Sequence, residues 1–202
     1  KVRVFFNHPD FIAASADRLG EAMRNISPEG RSAAHVAFTA HSIPSAMADR
    51  CDYVAQLNET CRLVAEQLGI APERWRLVYQ SRSGRPADPW LDPDICHLLR
   101  SPKEQAAKTV VVMPIGFLSD HMEVLYDLDE EARNVCREIG LTMVRSATVG
   151  THPKFVSMLA ELILERIENR PQRRAVGAEG PRADACPADC CPAMRRPAQP
   201  AG

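Results

Sequence analysis

The sequence predicts an α/β fold in which a mostly parallel sheet carries helices on both of its faces. Short apolar segments rich in β-branched residues alternate along the chain with longer segments whose apolar residues recur with a period near 3.6. A chain of 202 residues, 45% of them hydrophobic, can bury a core of this kind. Because crossovers between parallel strands are right-handed, every loop that leaves a strand for a helix falls at one edge of the sheet.

Each element has its own signal. Proline at the first helical position marks the helices that begin at His8-Pro9 and His152-Pro153, and Gly69 and Gly140 mark two helix ends. A capping pattern at 101–104 predicts a short helix before the third strand. The predicted strands are residues 33–40, 76–80, 109–112 and 142–145, with 2–6 as a short strand or lead-in. The other predicted helices are 53–68, 93–100 as one or two turns, and a helix that leaves the turn at 116–120 and ends near residue 138. Residues 27–30 are predicted to end the first helix, and Ser119 and Asp120 to supply an N-cap for the helix after the turn at 116–120.

The chain divides after residue 168 into a predicted α/β lobe, 1–168, and a tail. In 169–202 Pro, Ala, Gly and Arg dominate without apolar periodicity, so we predict a mostly disordered segment. The tail contains Cys186, Cys190 and Cys191. Three thiolates do not complete a four-ligand iron–sulfur or zinc site, so a fourth ligand would have to come from elsewhere. The alternative is a redox-active tail without a bound metal.

Composition argues against two classes of protein. A net charge of -1 and 5% aromatic residues give no reason to expect nucleic-acid binding. No segment approaches the roughly 18 apolar residues of a membrane span, and the first residues lack the layout of a signal peptide. We therefore expect a cytoplasmic protein without a membrane span. The chain starts at Lys1 within what reads as structured sequence, which suggests a fragment or a processed form.

Histidines and carboxylates gather at the predicted loop edge. His41 directly follows the first main strand, and His121 and Glu123 lie where the third one turns into a helix. Glu123, Asp127 and Glu131 recur every four residues, which places three carboxylates along one helix face. Imidazole is a common transition-metal ligand and moves protons near neutral pH. The pattern predicts a track for a cation opposite a histidine, and the alternatives are a solvated acidic face and structural histidines.

Insertion of a divalent metal into a tetrapyrrole needs both abilities, because the ion must be held while two pyrrole protons leave. Three motifs stand out in the sequence: Ala40-His41-Ser42-Ile43-Pro44, Gln80-Ser81-Arg82-Ser83-Gly84 with Trp90-Leu91, and the segment 114–129, which runs from Pro114-Ile115-Gly116-Phe117 through Ser119-Asp120-His121-Met122-Glu123. In this order they resemble the ferrochelatase family. The resemblance covers residues 1 to about 167 and corresponds to roughly the C-terminal half of the family's length.

The resemblance implies insertion of ferrous iron, as the metal substrate, into a porphyrin to make haem. His41 would ligate the iron or accept the pyrrole protons, and Glu123 would face it across the porphyrin. His121 would support Glu123, while Asp127 and Glu131 would continue an acidic line to the centre. The residues implied to border the porphyrin pocket are Ser81, Arg82 and Trp90.

The resemblance also implies parts that lie outside this lobe. The family has two similar lobes with the porphyrin cleft between them, so the missing N-terminal lobe is an expected partner and the present chain alone would bind porphyrin poorly. Some members hold a [2Fe-2S] cluster through three C-terminal cysteines and one earlier cysteine, and Cys186, Cys190 and Cys191 resemble the terminal set. The tail resembles actinobacterial sources, which favours coproporphyrin III over protoporphyrin IX. The alternatives are a cobalt or nickel chelatase and a non-catalytic metal- or haem-binding module.

Overall fold

The sheet consists of four parallel strands, as predicted. In the computed structural model, which describes residues 1–85, 87–101 and 106–185, they are β1 (His35–His41), β2 (Trp75–Gln80), β3 (Thr109–Met113) and β4 (Thr142–Arg145). Their order across the sheet is β2-β1-β3-β4, and every pairing is parallel. The chain order reverses between β1 and β3, and ligands of open α/β sheets bind at such a point. The loops that follow these two strands are therefore neighbours.

Helices cover both faces of the sheet, which confirms the predicted architecture. They are α1 (Pro9–Arg24), α2 (Pro28–Ala33), α3 (Ser45–Ala48), α4 (Tyr53–Gln67), α5 (Ile95–Leu99), α6 (Met122–Val124, Leu125–Ala132 and Arg133–Ile139 in succession) and α7 (Pro153–Ile167), with a 3₁₀ turn at Pro72–Arg74. Helices α1, α4 and α7 pack with Val111 on one face, while α5 and α6 pack with Val110 and Val112 on the other. β3 is buried on both sides, as expected of a central parallel strand. None of the described helices is long and apolar enough to cross a membrane.

The helix ends follow the predicted signals with one difference. His8 caps α1, because its Nδ1 accepts the backbone N–H of Asp10 at 3.2 Å. Gly140 ends α6 in the left-handed conformation that favours glycine. Residues 27–30, which the sequence predicted to end the first helix, instead start α2, where Ser27 Oγ accepts the N–H of Gly30 at 3.1 Å. Most of the capping pattern at 101–104 lies outside the described residues.

Helix α6 differs from the regular helix that the sequence predicted. Its middle, Leu125–Ala132, is π-helical, while both flanking segments are α-helical. A π turn holds more residues than an α turn, and such turns are frequent at functional sites. The N-cap expected from Ser119 and Asp120 is not formed. His121 occupies the N-cap position without a side-chain cap, and Asp120 pairs with Arg145 instead.

Residues 169–185 form neither helix nor strand, but they lie in contact with the lobe, which departs from the predicted disorder. The N–H of Val176 donates to the carbonyl of Asn7 at 2.9 Å, and Asn7 Nδ2 donates to the carbonyl of Gly180 at 2.8 Å. Ion pairs of this segment with the lobe include Arg174 with Asp10 and Glu161, Arg182 with Asp52, and Asp184 with Arg166. Composition predicted disorder because the segment has few apolar residues, whereas specific polar pairing to the lobe holds it.

Candidate active site

His41 ends β1 at the carboxyl edge of the sheet, and its ring has a defined orientation. Its Nδ1 lies 2.5 Å from the carbonyl oxygen of Ser42, which can only accept a hydrogen bond. The proton of the neutral ring is therefore on Nδ1, and Nε2 carries a lone pair. Ser42 is buried and donates through Oγ to the carbonyl of Leu91 at 2.8 Å, so the carbonyl that orients the ring is itself fixed. Nε2 is thereby aimed as a base or a metal ligand.

Glu123 faces His41 from the neighbouring loop. Its carboxylate oxygen Oε2 lies 3.9 Å from His41 Nε2. The side chains of Glu123 and His41 are 54% and 35% exposed, so a ligand can reach both groups. We call His41 and Glu123 the open pair.

Gly116 allows the two loops to approach. A Cβ at this position would lie 2.6 Å from the Cβ and 2.8 Å from the Cα of Ala40, which is closer than non-bonded carbon atoms can pack. The N–H of Gly116 donates to the carbonyl of Thr39 at 3.0 Å. The loop after β3 therefore lies directly on the last residues of β1. This contact brings the start of α6, and Glu123 with it, to His41.

Phe117 lies between the two predicted histidines. The centroid of its ring is 6.5 Å from that of His41 and 5.3 Å from that of His121, which it meets edge-on. His121 is exposed, and among the described residues no hydrogen bond or ion pair joins it to Glu123. The support of Glu123 by His121 therefore stays a prediction.

The other two carboxylates of the predicted row differ in their surroundings. Asp127 Oδ2 accepts hydrogen bonds from Ser81 Oγ and, at 3.2 Å, from Gln80 Nε2. Partial burial, together with the charges of Asp127 and Asp94, raises the pKa of Glu131 above its ordinary value. Within the described ranges, no three of His41, Glu123, Asp127 and Glu131 have ligand atoms within 4.8 Å of one another. The row is a succession of single carboxylates, and it does not form one chelating site.

Arg145 is largely buried beside this row. It contacts one residue that precedes Glu123 in the sequence and one that follows it. Its Nη1 lies 2.8 Å from Asp120 Oδ1, and its Nε lies 2.8 Å from Asp129 Oδ1. Although burial opposes the charge, the hydrogen bond to Asp129 and the nearby charge of Asp120 raise the pKa of Arg145 above its ordinary value. Arg145 ends β4 and Gln80 ends β2, as His41 ends β1. Neither was predicted, and a polar residue at the carboxyl end of a predicted strand was the signal available.

A cavity of 610 Å³ is lined by the loop after β2 and by α5. Of the residues implied to border a porphyrin pocket, Arg82 and Trp90 line this cavity, whereas Ser81 binds Asp127. Asp94, one of the charges that act on Glu131, also lines it. Trp90 pairs with Pro44 in an isolated bridge, which joins the cavity loop to the segment that follows His41.

A second histidine–carboxylate group lies between α1 and α7 and was not predicted. His8 is fully buried, and its Nε2 is 3.5 Å from Glu161 Oε1. The guanidinium of Arg174 lies 2.8 Å from both Asp10 and Glu161. We call His8, Asp10, Glu161 and Arg174 the closed cluster. Its histidine and carboxylates have ligand atoms within 4.8 Å of one another, but Arg174 already forms an ion pair with each carboxylate. His8 Nδ1 accepts a backbone N–H, so Nε2 carries the proton of the neutral ring.

The cysteines fall into two groups. The predicted cluster ligands Cys186, Cys190 and Cys191 lie outside the described residues. Burial raises the pKa of the Cys96 and Cys136 thiols to about 11, and it raises the pKa of Cys61 well above its ordinary value. These three thiols stay protonated near neutral pH and are poor ligands, since metals bind the thiolate. Cys51 is half-buried and donates to the carbonyl of Met47 at 3.3 Å.

Comparison with known proteins gives consistent matches. Residues 1–167 match the family model named Ferrochelatase. A ferrochelatase of Rhodopirellula baltica is 52% identical over 95% of this chain and 54% of its own length. Two proteins named coproporphyrin III ferrochelatase, from Streptomyces griseus and Streptomyces coelicolor, are 45% and 43% identical over 96% and 98% of this chain, and over 56% and 58% of their own lengths. The chain thus spans about half the length of the curated relatives it matches.

One solved structure also matches. It comes from Marinobacter aquaeolei, is provisionally named a cobalamin (vitamin B12) biosynthesis CbiX protein, and is 18% identical to this chain. The match covers 68% of this chain and 99% of the other at a TM-score of 0.44, a value too low to establish a shared fold.

Proposed function

This chain belongs to the ferrochelatase family, and from that premise we propose that it supplies the metal-binding side of an enzyme that inserts ferrous iron into a porphyrin. The observation that carries the proposal is the open pair, in which the imidazole nitrogen that does not bond to Ser42 lies 3.9 Å from a carboxylate oxygen at the reversal point of the sheet. In the reaction the porphyrin loses two pyrrole protons as the iron forms bonds to its nitrogens. The site must therefore hold a cation and remove protons.

His41 is suited to the first contact with the reacting centre. Its Nε2 lone pair can accept a pyrrole proton or bind iron, and the hydrogen bond from Nδ1 to Ser42 stabilises the imidazolium that would form. Glu123 stands on the opposite side of the space and carries a negative charge that attracts either the incoming ion or the departing proton. The two side chains come from different strand ends. A distance of 3.9 Å between Nε2 and Oε2 leaves no room for a flat macrocycle, so the two side chains would have to move apart to admit one and would then contact its opposite faces.

The carboxylates beyond Glu123 are suited to passing charge to and from solvent. Asp127 is held by Ser81 and Gln80, so its position needs no reorganisation when a cation arrives. Because the pKa of Glu131 is raised by partial burial and by neighbouring acids, this side chain takes up a proton more readily than an ordinary glutamate. Single carboxylates spaced along a helix bind a cation weakly at each position, which suits transfer better than storage.

We propose coproporphyrin III as the porphyrin, ahead of protoporphyrin IX, in the synthesis of haem. The support is that the Streptomyces relatives carry that substrate in their names at 45% and 43% identity, whereas the Rhodopirellula relative is named only as a ferrochelatase. The other wall of the porphyrin site would come from the part of the family's polypeptide that this chain lacks. A cytoplasmic location remains the prediction made from the sequence.

A [2Fe-2S] cluster in the full-length protein is a separate proposal. Three ligands would be Cys186, Cys190 and Cys191, and a fourth ligand would have to come from elsewhere in the full-length protein. A bound cluster would supply thiolate-to-iron charge-transfer absorption. We expect this absorption after anaerobic reconstitution of the full-length protein and its loss in Cys190→Ser, and a colourless reconstituted protein would rule the cluster out.

The experiment that tests iron insertion uses a protein of the length of the relatives. It is incubated anaerobically with ferrous iron and either porphyrin, and the porphyrin absorption spectrum is followed. We expect conversion to the iron porphyrin, faster with coproporphyrin III, and a much lower rate of conversion by His41→Ala. His35→Ala is the matched control, because His35 starts the strand that His41 ends. Equal insertion by His41→Ala would remove the proposed role of this residue, and insertion of cobalt or nickel in preference to iron would favour a related chelatase.

A further inference from the structure

The position of Glu123 is set by its backbone. The side chain is more than half exposed, and its contact with His41 spans 3.9 Å, which is too long to fix either group. Val124 and Leu128 are fully buried and hold the start of α6 against the sheet from below. A second restraint is needed to set how far α6 advances toward His41. Any group that ties down the backbone on both sides of Glu123 supplies it.

Arg145 meets this requirement. Through Nη1 it holds Asp120, which precedes Glu123 in the loop, and through Nε it holds Asp129, which follows in the π-helical segment. Both contacts are 2.8 Å long, and the guanidinium is 16% exposed. A planar guanidinium can hold two carboxylates in a fixed relation, whereas an ammonium is a single point charge. Arg145 ends β4, so the fixed point is the sheet itself.

The two carboxylates are not equivalent. Asp129 also accepts a hydrogen bond from Arg133 Nη2 at 3.1 Å, so it keeps a cationic partner when Arg145 is removed. Asp120 differs, because within the part of the chain that the structure describes Arg145 is its only ion-pair partner. Loss of Arg145 would therefore release the loop end of the segment more than the helix end.

We propose that Arg145 is a positioning residue for iron insertion, which sets the separation of Glu123 from His41 by tying Asp120 and Asp129 to the end of β4. This inference rests on the proposed function, because the part played by Glu123 is itself proposed there. It adds a residue that does not touch the reacting atoms and that belongs to none of the three motifs.

The first test measures the kinetics of metallation by a protein of the same length as the curated relatives, which we call the relative-length protein. Arg145→Gln is expected to lower kcat about ten- to a hundredfold, because a misplacement of about 1 Å has effects of that size. The KM values for iron and porphyrin should change less than about twofold, because the residue contacts neither. Arg145→Lys should recover only part of the loss, since it can hold one carboxylate at a time. Combining Asp120→Asn with Arg145→Gln should add little to the effect of Arg145→Gln, because both remove the same interaction.

The matched control is Arg137→Gln. It removes an arginine of α6, the helix that carries Glu123, and this arginine bonds locally, to Asn134 at 3.0 Å. It should leave kcat unchanged. A second measurement needs no activity: amide hydrogen exchange of the 202-residue chain. We expect faster exchange across residues 118–130 in Arg145→Gln than in Arg137→Gln or the unaltered chain.

The two readouts separate the two proposals. If the unaltered protein does not insert iron, the proposed function fails, and hydrogen exchange alone decides whether Arg145 restrains this segment. If iron is inserted and Arg145→Gln has an unaltered kcat, the positioning proposal is wrong while the proposed function stands. Two further outcomes would overturn the positioning proposal. One is a fall in kcat of Arg145→Gln equal to its fall in the fraction of folded protein, and the other is a complete recovery of kcat in Arg145→Lys.

Discussion

Histidine and carboxylate side chains meet at two places in this protein, and the two arrangements have opposite chemistry. In the open pair, His41 Nδ1 donates to a carbonyl, so Nε2 is a lone pair directed at Glu123 across 3.9 Å. In the closed cluster, His8 Nδ1 accepts a backbone N–H, so Nε2 carries the proton and faces Glu161. The carboxylates of the closed cluster are already paired with Arg174. The first arrangement presents a lone pair beside a carboxylate, while the second presents an N–H group to a carboxylate that is already paired with an arginine.

The difference shows that residue type and proximity do not define a metal site. By distance alone the closed cluster is the better candidate, because its three ligand atoms lie within 4.8 Å of one another. Two features make the closed cluster the poorer metal site. The N–H of Asp10 occupies His8 Nδ1, which leaves the proton on Nε2, and Arg174 competes with a metal ion for both carboxylates. The closed cluster therefore stabilises the packing of α1, α7 and the segment that carries Arg174. The open pair is the better candidate for binding a metal ion or transferring a proton.

The largest expected contrast is between the two histidines. In the relative-length protein, His41→Ala should lower the rate of iron insertion about 10²- to 10⁴-fold, the usual contribution of a positioned base, with little change in stability. His8→Ala should keep that rate but lower the free energy of unfolding by about 2 kcal/mol, because it removes a helix cap and a buried ring. Chemical denaturation and the absorption assay measure the two effects. Similar losses of rate in both variants would contradict the distinction.

The two glutamates should differ in the same direction but less strongly. Glu123→Gln is expected to lower kcat about tenfold to a hundredfold, because it removes a negative charge near the developing positive charge. Glu161→Gln should leave kcat unchanged and cost roughly 1 kcal/mol of unfolding free energy, because its partner Arg174 is half exposed and solvent weakens the pair. The same assay and denaturation curves decide. If Glu161→Gln lost activity and Glu123→Gln did not, the assignment of the two groups would be reversed.

Removing Arg174 should make the closed cluster resemble a metal site. In a His41→Ala background, which disables the open pair, Arg174→Gln is expected to bind Co²⁺ at a new site detectable by its visible absorption. To bind a metal through Nε2, the His8 ring must move its proton to Nδ1 and give up the hydrogen bond that Nδ1 accepts from the N–H of Asp10. We therefore expect weak affinity. Adding His8→Ala should abolish the signal. Equal Co²⁺ binding with Arg174 in place would show that the guanidinium does not block the cluster.

The smallest effect concerns pH. Burial outweighs the nearby carboxylates of Glu161 and Asp10, so the pKa of His8 is lowered below its ordinary value of 6.5. The unfolded chain therefore takes up this proton at a higher pH than the folded chain. Stability from this source is complete above the unfolded value and is lost as the pH falls through the lowered pKa of the folded state.

The measurement is the free energy of unfolding by urea from about pH 8 to about pH 5.5, a range that spans the unfolded pKa. His8→Asn keeps a side chain able to cap α1 and should show a smaller decline than the unaltered chain. Glu165, whose pKa is lowered mainly by its hydrogen bond with Arg3, titrates below this range and does not interfere. Identical declines in both proteins would show that His8 does not contribute.

The sequence predicted the parts of the site that follow from periodicity. His41 could be placed because it ends a buried strand, and Glu123 because it starts the helix after another, so the order of elements alone brings them to one edge. Asp120 could not be placed. A local capping rule assigned it to the helix start, but Arg145, which lies 25 residues further along the chain, binds it. The preference for a distant partner depends on side-chain geometry that spacing does not contain.

The acidic row and the tail show two further limits. Residues spaced by four predict one straight face only if the helix is regular, and the π-helical segment Leu125–Ala132 alters the turn between Glu123 and Glu131. The composition of 169–185 correctly predicted the absence of helix and strand. It could not predict that Arg174 would meet two carboxylates contributed by helices far apart in the chain.

The contacts of residues 169–185 have a practical consequence for anyone who expresses this lobe. A stop codon placed after residue 167, where the family match ends, would remove Arg174 and leave Asp10 and Glu161 facing each other beside a buried imidazole. It would also remove the carbonyl acceptors of Arg174 and Gly180 that Arg3 and Asn7 use. Cloning to residue 185 or beyond retains these interactions, so the yield of folded protein should depend on 18 residues that a homology-based boundary would discard.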